Sequence, residues 1–214
     1  MRFFNEAYTA DPPWEIGRPQ PEMARRCDAG EIVGRVLDIG CGTGENAAYF
    51  AARGHPTVGI DFAPNAIRRA ERKFGERDLP LRFEVADALS LEELGETFDT
   101  ATDCGVYHQF SDDLRATYSE SVRAALRPGG RFFVFCFRDD EPKEWGGPRR
   151  IAEAELRSSF SEGWACVGVD PARFETILPG VEGRAWLARF DREEPRRSGS
   201  DWGVARERRR TSHS

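Results

Sequence analysis

Between residues 35 and 138, short β-branched runs alternate with helix-patterned stretches, a rhythm that restricts the chain to a parallel sheet with helical crossovers. The apolar runs 35–39, 56–60, 81–86, 98–104 and 131–138 read as strands, with helices over 45–53, 64–74 and 112–126 between them. Pro128-Gly129-Gly130 stops the last of these helices and turns the chain into the fifth strand. A helix over 151–160 follows, then strand-like 164–169 and 184–190, whose placement predicts an antiparallel pair at the sheet edge. The expected fold is α/β: a seven-stranded, mostly parallel sheet with a C-terminal antiparallel hairpin and helices on both faces.

The chemistry is concentrated in Val36-Leu37-Asp38-Ile39-Gly40-Cys41-Gly42-Thr43-Gly44-Glu45-Asn46, an apolar strand that enters a glycine turn and then a helix. Backbone there must come close to something. The spacing is G-x-G-x-G, whereas a dinucleotide fingerprint needs G-x-G-x-x-G with its pyrophosphate on the helix N-terminus. Asp38 and Glu45 put two carboxylates where a diphosphate would place its own negative charge, so the turn suits a ligand with a cationic, amino-acid-like end. The run Val58-Gly59-Ile60-Asp61-Phe62 closes the second strand on an acid, which in that place accepts hydrogen bonds from both ribose hydroxyls. A ligand with a ribose and an ammonium but no phosphate is expected.

These landmarks resemble the class I methyltransferases that use S-adenosylmethionine (SAM). Residues 36–44 are similar to the first motif of that family, Asp61 to its ribose acid, Val85-Ala86-Asp87-Ala88 to the segment flanking adenine, and Leu126-Arg127-Pro128-Gly129-Gly130 to the turn before strand five. The resemblance covers residues 35–138. It implies a Rossmann-like fold in which Gly40, Gly42 and Gly44 line the methionyl part of SAM and Asp61 holds the ribose. By the same resemblance Asp87 and the Ala88 amide meet the adenine, and Phe62 covers one face of the base.

Methyl transfer from a sulfonium is an in-line displacement that needs alignment, dry surroundings and removal of a proton where the nucleophile carries one. Tyr107 and His108 follow strand four at the sheet edge, and His108 is the candidate general base because its ordinary pKa lies near working pH. A packed ring with one hydrogen bond is the competing reading. The segment Pro12-Pro13-Trp14-Glu15-Ile16-Gly17-Arg18-Pro19-Gln20-Pro21 is similar to the N-terminal stretch of small-molecule methyltransferases related to the thiopurine, thiol and tellurite-resistance groups. That resemblance implies a cover over SAM, with Trp14 and Arg18 near the acceptor. The breaker-rich stretch 139–148 reads as a loop at the ligand edge, with Trp145 as a further acceptor contact.

Charge separates the possible partners. Residues 1–190 carry a net charge of −8, which argues against nucleic acid, while residues 191–214 carry seven Arg against five acids in a Ser-, Gly- and Pro-containing stretch that reads as a solvated tail. The organisation expected is a cover over residues 1–34, a methyltransferase domain over 35–190 and a disordered tail over 191–214. No run approaches a membrane span and the N-terminus has no secretory pattern, so a cytoplasmic protein is expected. Five cysteines form an odd set with no C-x-x-C and no histidine at ligand spacing, which predicts buried reduced thiols and no metal site. The function expected is methyl transfer from SAM to O, S or N of a small, fairly apolar molecule. Its rivals are a non-catalytic SAM-binding protein and a methyltransferase that grips RNA or protein with the Arg-rich end. The sequence carries no signature of oligomeric state.

Overall fold

Along β5 (Leu126–Phe137), Phe132, Val134 and Cys136 belong to one buried cluster and Phe133, Phe135 and Phe137 to another, so this strand is covered on both faces. The period of two in side-chain direction makes any strand that is apolar at every position a central one. The computed structural model describes residues 2–144, 146–179, 181 and 183–194. The other strands are β1 (Val36–Ile39), β2 (Thr57–Asp61), β3 (Leu81–Val85), β4 (Phe98–Cys104), β6 (Trp164–Arg173) and β7 (Arg184–Arg192). They form one seven-stranded sheet in the order β3-β2-β1-β4-β5-β7-β6. Pairing is parallel from β3 through β5, and β7 runs antiparallel to both β5 and β6. The expected architecture is the observed one.

Helices α2 (Pro21–Asp28), α3 (Glu45–Ala51), α4 (Pro64–Phe74), α5 (Asp112–Ala125) and α6 (Glu153–Ser159) pack on this sheet. Two of them show why these residues form helices. Pro64 opens α4 where no intrahelical N–H bond is needed, Ala66, Ile67 and Ala70 form its buried stripe, and Arg72 and Lys73 complement its C-terminal dipole. In α5 the buried positions Arg115, Tyr118, Ser119, Val122 and Ala125 recur at helical spacing behind Asp112 and Asp113.

Four details depart from expectation. A short helix, α1 (Arg2–Ala7), precedes the Pro-rich segment and packs on α4. β5 starts at Leu126 rather than 131: Leu126 pairs with Phe98 and the next pair is Thr100 with Arg131, so Pro128-Gly129-Gly130 forms an excursion inside the strand. β6 runs through Pro171 to Arg173, because it is the outermost strand and a missing N–H is tolerated there. Cys27, Cys41 and Cys136 are buried, but Cys104 is half-buried and Cys166 is exposed beside Arg157, so the thiols are all free without all being core. Among the described residues no helix is long and apolar enough to cross a membrane.

Strand order reverses between β1 and β4, since β2 and β3 continue on one side and β5 on the other. Their carboxyl ends therefore diverge there, and the opened crevice is where a ligand fits.

Candidate active site

The turn after β1 occupies that crevice. Gly40, Gly42 and Gly44 have φ of 67°, 56° and 92°, all left-handed. A Cβ at Gly40 would strike Val106, one at Gly42 the Glu15 carboxylate, and one at Gly44 the Phe83 ring. Glycine is required for both conformation and space. The turn is held from β2: the Gly42 N–H donates to Asp61 Oδ2 (3.1 Å) and the Ala63 N–H to Asp61 Oδ1 (2.8 Å).

Four acids surround this turn. Asp38 lies behind it, fully buried, with one oxygen accepting from the Thr102 hydroxyl (2.7 Å). Asp61 and Glu15 face the cavity, and Glu45 at the head of α3 is ion-paired with Lys73. Burial drives Asp38 up to about 7, with the Asp103 charge adding to it against the Thr102 bond. Burial likewise lifts Asp61 to about 6 against its two N–H donors. Carboxylates so raised are short of positive charge. A cationic ligand would lower both, so the complex holds fewer protons than the free protein and affinity rises with pH. We expect SAM to bind more tightly as pH climbs through the interval of these two values, with protons released. Calorimetry in buffers of different ionisation enthalpy measures that release, and a pH-independent affinity would refute it. The same acids make the ligand-free protein less stable as pH rises from their ordinary range through about 7.

The cavity in front of the turn has a volume of about 690 Å³. Its roof is the segment predicted to be a cover. The Trp14 indole N–H donates to the Tyr8 hydroxyl (3.0 Å), and Phe4 packs between Trp14 and Phe62, each 5.8 Å away between ring centroids. The roof is fastened on two sides. On α4, the Asn65 N–H donates to Asn5 Oδ1 (3.0 Å) and Arg69 pairs with Asp11. On the β6–β7 connection, Gln20 exchanges two hydrogen bonds with the Glu175 backbone (2.8 and 3.0 Å), the Ile177 N–H donates to the Pro13 carbonyl (3.0 Å), and Arg18 pairs with Glu175. The opposite wall is aromatic: Phe137 stacks on His108 (5.3 Å, 4°) and lies 5.1 Å from Phe174.

Of the residues expected from sequence, the structure brings Gly40, Gly42, Asp61, Phe62, Trp14, Arg18 and His108 to this cavity. Gly44 packs under the turn against Phe83, and Asp38 stands behind it. Asp87 and Ala88 lie at the carboxyl end of β3, outside the cavity lining, where Asp87 Oδ1 accepts from the Leu89 N–H (2.9 Å). Trp145 is outside the described residues.

Two expectations concern the loop after β4. Tyr107 is fully buried core, its hydroxyl 2.7 Å from Ser159 Oγ and its ring against Phe160 and Tyr118, so it is no acceptor wall. His108 Nδ1 accepts the Phe137 backbone N–H (3.2 Å), and Gly105 backbone bonds the ring as well. Burial, and then the Arg150 charge, push this imidazole down to about 3, so it is neutral at working pH with its acceptor nitrogen already used, the packed-ring arrangement that competes with the general-base reading. Asp103 shapes this loop, accepting the Val106 and Tyr107 N–H groups (2.7 and 2.8 Å) and the Tyr118 hydroxyl (2.6 Å). Sequence reasoning also missed Tyr8, Glu15, Phe137 and Phe174 as cavity residues. The only local signal for any of them is the i, i+4 spacing of Phe4 and Tyr8.

The strand order and the acid-flanked glycine turn at the switch point define a class I methyltransferase, and comparison with known proteins agrees. Residues 36–130 match the methyltransferase domain family. The chain is 38% identical over 170 residues to a 2-heptyl-1-hydroxyquinolin-4(1H)-one methyltransferase of Mycobacteroides abscessus, covering 78% of this chain and 75% of that protein. A solved structure concerned with the conversion of a disulfide bond into a thioacetal group during echinomycin biosynthesis superposes with a TM-score of 0.82 at 34% identity, covering 90% of this chain and 92% of that one. The Burkholderia thailandensis 1,6-didemethyltoxoflavin-N1-methyltransferase, solved with S-adenosylhomocysteine (SAH), shares the fold at a TM-score of 0.69 and 23% identity, covering 90% of this chain and 87% of that one. The protein belongs to the SAM-dependent small-molecule methyltransferases and is an enzyme of that family.

Proposed function

We propose that the methyl group of SAM is transferred to an oxygen, sulfur or nitrogen of a small, flat and fairly apolar ring compound held in the 690 Å³ cavity. The observation that carries this reading is the aromatic wall of Phe137, His108 and Phe174 facing the Trp14 roof across the glycine turn. In this reading Gly40 and Gly42 line the methionyl part, Asp61 accepts from the ribose hydroxyls, and Phe62 covers the base. Asp87 and the Ala88 amide, just past the strand that pairs with β2, meet the adenine edge. Trp14 and Arg18 bound the acceptor, residues 1–34 form the cover, and residues 35–190 form the catalytic unit.

His108 has its own hydrogen bonds, so proton removal falls to the acidity of the acceptor itself. An ionised oxygen or sulfur meeting a sulfonium in an apolar cavity loses charge on the way to the transition state, and dry surroundings favour that step. The relatives named for a hydroxyquinolone and for a thiol, the latter from Arabidopsis thaliana, support acceptors of this kind.

The test is calorimetry with SAM and SAH followed by turnover with hydroxylated heteroaromatics, thiols and amines over a range of acceptor pKa. We expect both adenosyl ligands to bind and the ascending limb of kcat/KM against pH to follow the acceptor, in the wild type and in His108→Asn alike. A limb fixed at one pH for every acceptor would point to a protein base. Failure to bind either ligand would refute the whole reading.

A further inference from the structure

We infer that Glu15, carried by the covering segment, is the partner of the cofactor's ammonium group, so that the amino-acid end of SAM ties the cover to the glycine turn. The inference rests on SAM lying along that turn as proposed above. Among the acids near the turn, Asp61 is taken by the ribose in that placement, Asp38 stands behind the turn and off the cavity wall, and Glu45, which also lines the cavity, is paired with Lys73. Glu15 lines the cavity, and its carboxylate sits on the turn, close enough that any side chain at Gly42 would collide with it. It accepts the Thr43 N–H (3.3 Å) and shares the single Thr43 hydroxyl hydrogen with Glu45 (2.5 and 2.6 Å), while the Lys73 ammonium reaches Thr43 and Glu45 instead. Two donors leave the carboxylate with unused lone pairs facing the cavity.

The position of Glu15 is built from both sides. Pro12 and Pro13 precede it, its own N–H donates to the Pro12 carbonyl (2.9 Å), and the Pro13 carbonyl is held by Ile177. The carboxylate is thus presented on a braced turn, which reduces the entropy lost when a ligand engages it. Burial raises Glu15 and the neighbouring Glu45 charge adds to that, against the two Thr43 hydrogen bonds and the more distant Lys73 charge.

The experiment is a two-by-two cycle: wild type and Glu15→Gln, each titrated with SAH and with deaminated SAH, in which hydrogen replaces the amino group. We expect the wild type to prefer SAH by about ten- to a hundredfold, the usual worth of a buried charged hydrogen bond, and Glu15→Gln to bind both ligands equally at the weaker level. A variant that keeps the wild-type preference overturns the inference. So does a variant that loses affinity for both ligands by one factor, since Glu15 would then only brace the turn. The wild-type arm needs no folded variant, and equal binding of the two ligands there also overturns it. A wild type that binds neither ligand refutes the cofactor placement itself.

Discussion

Replacing Asp61 with alanine should weaken SAM and SAH by about 1 to 3 kcal/mol, roughly five- to 150-fold in affinity, read by calorimetry at about pH 8 where the carboxylate is ionised. Two losses combine. The carboxylate proposed to accept from the ribose disappears, and the Gly42 and Ala63 N–H groups lose their common acceptor, so the glycine turn is no longer fixed to β2. The ligand-free protein should lose little stability, because burial already makes this carboxylate costly to ionise. Asp61→Asn keeps one acceptor oxygen and should fall between the two. Unchanged affinity in the alanine variant would place the ribose elsewhere.

Gly42→Ala should lower SAH affinity at least tenfold while shifting the thermal midpoint of the ligand-free protein by only a few degrees. The backbone cost of a left-handed alanine is about 1 kcal/mol, which for a domain of this size corresponds to roughly 2–4 °C. The larger effect is local. The new methyl group lands on the Glu15 carboxylate and within 3.0 Å of the Tyr8 hydroxyl, so the cover must shift off the turn at the point where the cofactor enters. Equal SAH affinity, measured alongside the melting curve, would show that the cover has room the structure does not suggest.

The parts of this protein legible in the sequence are those set by neighbours in the chain. β1, the glycine turn and the Asp61 strand end lie within 26 residues, Val36 to Asp61, and their spacing together with the carboxylates of Asp38 and Glu45 separates an amino-acid-like ligand from a dinucleotide. The aromatic wall was not legible, because Phe137 and Phe174 meet only through pairing of β5 with β7 and the turn beyond β6. The hydrogen bonding of His108 was hidden for the same reason: the N–H that occupies its Nδ1 comes from residue 137. Tyr107 and His108 are adjacent in sequence, yet the 3-10 turn Tyr107–Gln109 sends one into the core and the other to the cavity. α1 is six residues long, too short to declare itself by periodicity, and its position comes from packing on α4.

A sheet open at both ends offers unpaired N–H and C=O groups to any passing strand, the usual start of edge-to-edge aggregation. At one end β6 carries Pro171, which has no N–H to offer, and a register irregularity between Cys166 and Gly168. At the other end β3 carries Arg82 and Glu84, joined by a hydrogen-bonded ion pair (2.6 Å), so a strand docking there would have to strip water from two charges. Both borders of the sheet thus discourage recruitment of further strands, and the enzyme can keep the apolar run 132–137 in a central strand without becoming a template for its own precipitation.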